Sequence, residues 1–395
     1  MPTAIIKNRI QSIDFLRGII MVIMALDHTR DFFHISANTA NPLDPATSYP
    51  ILYITRWITH FCAPTFVFLS GLSAWLQAQR KTKKELQRFL ITRGLWLILF
   101  DLTIMTFIFT FDIHYTIFIL ETLWSIGTGM IVLGLLINLP FRVILTIGLI
   151  IFFGHNGLDL AERSAKGDLP LWWKLLHQPS FTPLWGSHNL FIFYPFLSWA
   201  GLTLLGYCCG RFFTDYEFPK RKKILVGIGI GAIVFFFVLR AINIYGDPGP
   251  WQAQKTTMAT IFSFMNVQKY PPSLLYLCAT IGPVLIALGL LKNSDNRCHK
   301  VISIFGRVPF FYFAVHFFIL HLASAITYLS RGHSFAEGMK GGPNTFFKFV
   351  QPGEGYSLWT VYGIWIASVL LMYPLSKWYD NYKSSHKDQW WLSYL

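Results

Sequence analysis

A chain of 395 residues that is 53% hydrophobic, 17% aromatic and only 13% charged has about half the roughly 25% charged residues of a soluble domain, so it cannot clothe a water-soluble surface. Runs of about 20 apolar residues recur along it and read as membrane spans. A net charge of +14 would suggest nucleic acid in a soluble protein, but here the basic residues cluster in short loops between apolar runs. That pattern excludes a nucleic-acid partner and marks membrane topology instead.

Taken in chain order, the apolar pattern predicts an all-α polytopic integral membrane protein, a single domain over 1–395. Ten helical spans fall near 12–33, 51–78, 94–111, 119–138, 140–154, 189–210, 224–245, 271–291, 303–327 and 357–378. The connections alternate in character. One set is short and basic, as in Arg80–Arg93 and Arg211–Lys223. The other, near 34–50, 155–188, 246–270 and 328–356, is longer and richer in Gly, Pro, Trp and His. Of the 33 Lys and Arg, 21 fall on the first side, nine on the second and three within spans. The excess makes the first side cytoplasmic, with both termini inside, as an even number of spans requires. The longer outer loops are then the natural place for a substrate site.

The first span carries Asp14, Arg17, Asp27 and His28 at depths where a charge costs about 3 kcal/mol. Arg17 and His28 are eleven residues apart, so they lie within about 20° on one helix face and about 16 Å apart along the axis. Asp14, one turn before Arg17, shares the stripe. One polar face thus runs from a cytoplasmic-end Arg to a His in the outer half, as a path through the bundle would require. The plainer readings are that Arg17 snorkels to headgroups and that His28 hydrogen-bonds another helix. Asp27 faces about 100° away from His28 and reads as a structural partner.

Further along, Arg56 and His60 lie one turn apart ahead of Pro64. Asp101 sits within the third span and Arg240 near the end of the seventh, and the two are candidates to pair. Glu121 opens the fourth span, where an acid suits the helix dipole. His316 lies deep in the ninth and His321 nearer its outer end. No phosphate loop, G-x-S-x-G elbow or H-E-x-x-H motif occurs. The five cysteines form no C-x-x-C pair. Neither disulfide nor metal is expected, and a metal site would have to be assembled across helices.

Five blocks in order carry a resemblance: SIDFLRGIIMVIMALDHTRDFF (Ser12–Phe33), APTFVFLSGLSAWL (Ala63–Leu76), FIFYPFLSWAGLTLLGYCCGRFF (Phe191–Phe213), NVQKYPPSLLYLCATIGPVLIALGLL (Asn266–Leu291) and FGRVPFFYFAVHFFILHL (Phe305–Leu322). With them the chain resembles the heparan-α-glucosaminide N-acetyltransferase-like family of transmembrane acyltransferases. Its Arg17-x10-His28 spacing is similar to the Arg/His pattern of the wider membrane acyltransferase superfamily. The lack of N-x-S/T sequons and the compact length lead us to expect a bacterial member in the inner membrane.

The resemblance implies an enzyme that moves an acyl group, expected to be acetyl, from cytoplasmic acetyl-CoA to a sugar-like acceptor on the outer side. It implies no metal. His28 would deprotonate the acceptor hydroxyl or amine, by direct transfer or through an acyl-histidine, and Arg17 and Asp14 would engage the acyl-CoA. Lys269 and Tyr270 of the KYPPS block are candidate acceptor residues, although interfacial anchoring would also explain them. Ser70 is a candidate oxyanion donor. In the lysosomal relatives the position matching His28 resembles an asparagine, with the favoured histidine further into the loop; here the nearest loop histidine is His34. The partners implied are acyl-CoA, a saccharide or glycan and the lipid bilayer, and the large apolar spans allow a homodimer. The alternative is a transporter or exporter of a small anion or glycan precursor along the same polar path.

Overall fold

A computed structural model describes residues 10–44, 47–165, 167–341 and 345–393, so Lys7, Arg9 and Lys166 of the charge count lie outside the described residues. Helices make up 70% of the described residues, and each predicted span is helical over most of its length, with different ends. α1 (Gln11–Phe33) is continuous. The second predicted span is two helices, α2 (Pro50–Thr59) and α3 (Cys62–Ala78), broken at His60 and Phe61. α4 (Lys83–Phe100) starts well before the predicted 94, because Thr82 and Glu85 form a reciprocal capping box that supports its polar first turns. It continues through a π-helical turn, Asp101–Met105, into α5 (Thr106–Thr110).

α6 (Thr122–Leu136) and α7 (Phe141–Gly154) flank Pro140. The short α8 (Leu158–Ser164) and α9 (Leu171–Leu176) occupy a predicted outer loop. α10 (Leu197–Asp215), α11 (Phe218–Ile242), the short α12 (Thr257–Met265) and α13 (Leu274–Leu290) follow. The predicted span 303–327 is also divided. The amphipathic α14 (Arg297–Arg307) stops at Val308, and Pro309 begins α15 (Pro309–Ser330), since proline has no N–H with which to continue the preceding helix. α16 (Phe335–Lys340) and α17 (Leu358–Ser385) complete the order.

Three short strands accompany the helices. The residues leading into α6 and α10 form strands, β1 (Ile117–Leu120) and β3 (Asn189–Ile192), which pair in parallel with Ile117 opposite Asn189. β2 (Ser180–Pro183) joins β3 on its other edge, antiparallel. The apolar alternation of such short runs does not separate a strand from a buried helical turn.

Six helical stretches among the described residues are long and apolar enough to cross a membrane: Pro50–Ala78, Lys83–Thr110, Phe141–Ser164, Phe218–Ile242, Pro309–Ser330 and Leu358–Ser385. Thr122–Leu136 and Leu274–Leu290 are shorter apolar helices. On α11, Ile228, Val234, Phe237 and Val238 point outward with about half of their surface bare, as a lipid-facing helix requires. The protein is an integral membrane protein.

α1 runs through the middle of the bundle against α2, α3, α14, α15 and α17. Its closest neighbour is α14. A Cβ at Gly18 would collide with the Ile302 carbonyl, and one at Gly306 with the Asp14 carbonyl. These two glycines bring the backbones of α1 and α14 into direct contact, which aims the polar stripe of α1 at α3 and α15.

Candidate functional site

At the predicted cytoplasmic end of the stripe, Arg17 spans three helices. Its Nη1 donates to Asp14 Oδ1 at 3.4 Å and to the Gly306 carbonyl at 3.1 Å, and its Nη2 donates to Ser73 Oγ at 3.1 Å. Beside it lies a cavity of about 750 Å³. Asp14, Arg17, Arg80, Lys81, Arg93, Arg307 and Lys383 all line it, so six cations face one acid. Arg307 is fixed by Asp380, at 2.9 and 3.0 Å from Nε. Away from these charges the walls become apolar, with Met21, Met24, Leu123, Ile126 and Phe313, and Thr122 adds a hydroxyl. Ser70 lines the cavity too, but its hydroxyl donates to the Val67 carbonyl at 2.7 Å.

One turn beyond Met24, His28 meets a residue that its sequence neighbourhood does not reveal. His28 Nδ1 and His316 Nε2 stand 2.7 Å apart. His316 Nδ1 is 2.8 Å from the Tyr312 carbonyl, which only accepts, so that nitrogen carries hydrogen. In the neutral pair His316 Nε2 therefore accepts from His28 Nδ1–H, and the lone pair is left on His28 Nε2. Nε2 has no hydrogen-bond partner among the described residues. The ring packs on Phe317, centroids 3.9 Å apart, and meets Phe313 edge-on at 6.3 Å. Phe313 also lines the cavity, so the charged chamber reaches the immediate surroundings of the imidazole pair.

Asp27 points to the other side of α1. It receives Arg56 Nη1 at 3.0 and 2.7 Å and Thr59 Oγ1 at 2.9 Å, and Arg30 Nη2 stands at 2.8 Å. This cluster locks α1 to α2. Asp101 and Arg240, candidates to pair on sequence, do not meet. The Asp101 carboxylate accepts the Glu121 and Trp124 backbone N–H groups at 2.8 and 3.0 Å and so caps α6. The Glu121 carboxylate accepts Thr122 N–H at 2.7 Å. Arg240 donates to the carbonyls of Gly249, Ser263, Phe264 and Asn266 and holds the connection between α11 and α13 in shape. Its Nη1 also stands 3.8 Å from Asp247 Oδ1, so its acidic neighbour is Asp247 rather than Asp101.

Lys269 is buried, and its ammonium makes no hydrogen bond or ion pair among the described residues. It lies over the Tyr270 ring at 5.0 Å. It is close enough to Asp27, His28 and Glu121 to act on all three electrostatically. Tyr270 stacks on Phe193 at 4.0 Å, with Tyr194 edge-on at 5.2 Å. Lys269 therefore lies near the stretch of α1 that carries Asp27 and His28. His34 lies elsewhere. At the end of α1 its Nδ1 is 2.8 Å from Ser36 Oγ, and it lines a separate, smaller cavity with Tyr328 and Arg331. Burial, then the Arg30 guanidinium, hold its pKa below the ordinary imidazole value. His321 is structural, with its two nitrogens at 2.6 and 2.9 Å from the Ile108 and Lys348 carbonyls.

The family model described as heparan-alpha-glucosaminide N-acetyltransferase, catalytic, matches residues 9–245. No curated protein matches the chain. The matched stretch contains Asp14, Arg17 and His28 and ends before Lys269 and His316.

Proposed function

Because the chain belongs to the heparan-alpha-glucosaminide N-acetyltransferase catalytic family, a family of membrane acetyltransferases acting on saccharides, we propose that it carries acetyl groups from cytoplasmic acetyl-CoA to a saccharide on the outer face of a bacterial inner membrane. The single observation behind this reading is the cation-rimmed cavity that ends one helical turn from the free Nε2 of a hydrogen-bonded histidine. CoA carries a phosphate-rich nucleotide at one end and a thioester at the other, and the cavity grades from cations to apolar walls in the same sense.

In this reading ten spans cross the bilayer: the six long apolar stretches together with α1, α6, α10 and α13. Both termini are cytoplasmic, as the charge asymmetry requires. Arg17, held against Asp14, binds donor phosphate with its neighbours Arg80 and Arg93. The pantetheine arm lies along Met21 and Met24. The acceptor enters from the other side and is held by the Lys269 ammonium and the Tyr270 hydroxyl.

The chemistry uses one atom. His28 Nε2 takes the proton of the acceptor hydroxyl or amine while that oxygen or nitrogen attacks the thioester carbonyl. The tetrahedral oxyanion collapses, the C–S bond breaks, and the CoA thiolate leaves and takes the proton from His28. His316 keeps Nδ1–H of His28 bonded throughout, so the lone pair stays on Nε2. The same lone pair could attack the thioester itself; an acetyl-histidine trapped by rapid quenching would distinguish the two-step route.

The test is binding and turnover of radiolabelled acetyl-CoA by purified protein in detergent, with saccharide acceptors, beside His28→Ala. Binding by both proteins with transfer only by the wild type supports the proposal. Folded wild type that binds no acetyl-CoA overturns it. Movement of an unaltered anion or glycan precursor in vesicles would then make the chain a transporter.

A further inference from the structure

The predicted outer loop after α7 gathers three groups that acyl transfer does not use. Asp159 and Glu162 lie one turn apart on α8, and His177 closes α9. One ligand atom from each falls within 4.8 Å of the other two. His177 is fully buried.

The hydrogen-bonding pattern shows why this cluster is more than a polar patch. His177 Nδ1 is 2.9 Å from Glu162 Oε1, which also accepts Trp173 Nε1–H at 2.8 Å. A carboxylate only accepts, so Nδ1 carries hydrogen, and in the neutral ring the lone pair is on Nε2. That Nε2 is buried without a hydrogen-bond partner, and it faces Asp159 Oδ1 at 3.9 Å, too far for a hydrogen bond. Two electron-rich atoms facing each other across that separation repel unless positive charge lies between them. A zinc-sized ion binds imidazole nitrogen and carboxylate oxygen at about 2.0–2.2 Å, so the pair spans one ion. The nearby cations are engaged elsewhere, Arg163 on the Pro248 carbonyl and Lys174 on Asp168.

We propose that Asp159, Glu162 and His177 form a binding site for a divalent transition-metal cation, with zinc the best match to their donors. Asp159 and His177 Nε2 bind it directly. Glu162 fixes the imidazole tautomer, as carboxylates behind metal-bound histidines do, and brings the local charge to −2. The site is structural, and it stands whether or not the chain transfers acyl groups. Asn156 connects it to the acceptor side: its Nδ2 donates to Asp159 Oδ2 at 2.8 Å, and its Oδ1 accepts the Leu274 N–H at 2.8 Å. The bound ion therefore fastens the outer loop to the start of α13, four residues after Tyr270.

The experiment uses the full chain in detergent, stripped with EDTA and titrated with zinc chloride, read by metal content per chain and by thermal denaturation. The expected result is one zinc per chain and a higher melting temperature for the wild type. Asp159→Asn and His177→Gln should each weaken zinc binding more than about tenfold and abolish the zinc-dependent shift. Asp159→Asn preserves shape and the Asn156 contact, so it remains informative if His177→Gln fails to fold. Absence of stoichiometric zinc on the wild type, or equal affinity in Asp159→Asn, overturns the proposal and leaves His177 as a protonated ion-pair partner of the two carboxylates.

Discussion

His28 and His316, 288 residues apart in sequence, share a 2.7 Å hydrogen bond whose direction is set by a third group, the Tyr312 carbonyl. The chain of acceptors leaves one basic nitrogen, on the α1 ring. A lone histidine in lipid-facing surroundings would have no such orientation.

The two histidines should therefore fail differently. His28→Ala should lower kcat by a factor of about 10²–10⁴ while acetyl-CoA binding persists. His316→Leu should lower kcat about a hundredfold by letting the His28 ring turn, with KM for acetyl-CoA unchanged. His316→Gln should recover part of that loss, because its amide oxygen can accept His28 Nδ1–H. Steady-state kinetics on the four proteins checks this, and equal losses in Leu and Gln variants would remove His316 from the positioning role.

The basic rim should act on the donor alone. Arg80→Ala and Arg93→Ala should each raise KM for acetyl-CoA about tenfold, the cost of about 1.4 kcal/mol for one phosphate contact, with kcat unchanged. The defect should shrink at high ionic strength, where such contacts are screened, and should be smaller for a donor lacking the 3′-phosphate. KM measured at low and high salt with both donors tests the assignment.

Gly306→Ala puts a methyl group against the Asp14 backbone. Neither backbone can yield without separating α1 from α14, so the variant should lose about 1–3 kcal/mol of stability. Gly227→Ala, where the added carbon meets nothing, is the control and should melt with the wild type in detergent.

A pH-dependent difference is expected at Asp112, in the loop after α5. Burial opposes ionisation of its carboxyl, but the Thr116 hydroxyl and the His114 and Thr116 N–H groups outweigh it, and the pKa falls below 3.8. A depressed folded pKa contributes stability above the unfolded value and loses it as pH falls through the folded one. Asp112→Asn should thus melt below the wild type near neutrality, with the gap closing as pH drops below about 4. Melting curves of the two proteins across that range provide the check.

The sequence carried the α1 stripe because helical period alone puts Arg17 and His28 on one face. It carried the helix positions and the six long apolar stretches because lipid demands long apolar runs. The partner of His28 was not legible: His316 is one buried histidine among several, and periodicity within a helix says nothing about which helices touch. Arg80 and Arg93 were legible only as topology signals, since their meeting with Arg17 around one cavity depends on how α1, α3 and α4 pack. The break at Val308 lay within one predicted span, where Arg307 and Pro309 on either side were the available clues. The Asp159–Glu162–His177 cluster joins two short helices through a loop, and no spacing rule covers that arrangement.

Gly18 and Gly306 each precede a paired histidine by ten positions. The spacing of the two imidazoles is thus gauged, along α1, about 15 Å away, where the two backbones rest on each other. Widening that seat by 1 Å, if transmitted, would stretch the 2.7 Å bond past the range of a hydrogen bond and free the His28 ring to rotate. The Gly306 carbonyl at that seat also receives Arg17, so a ligand's pull on the guanidinium acts directly on the gauge. Donor occupancy and proton direction would then be read from a single mechanical datum, at the end of the bundle opposite the chemistry.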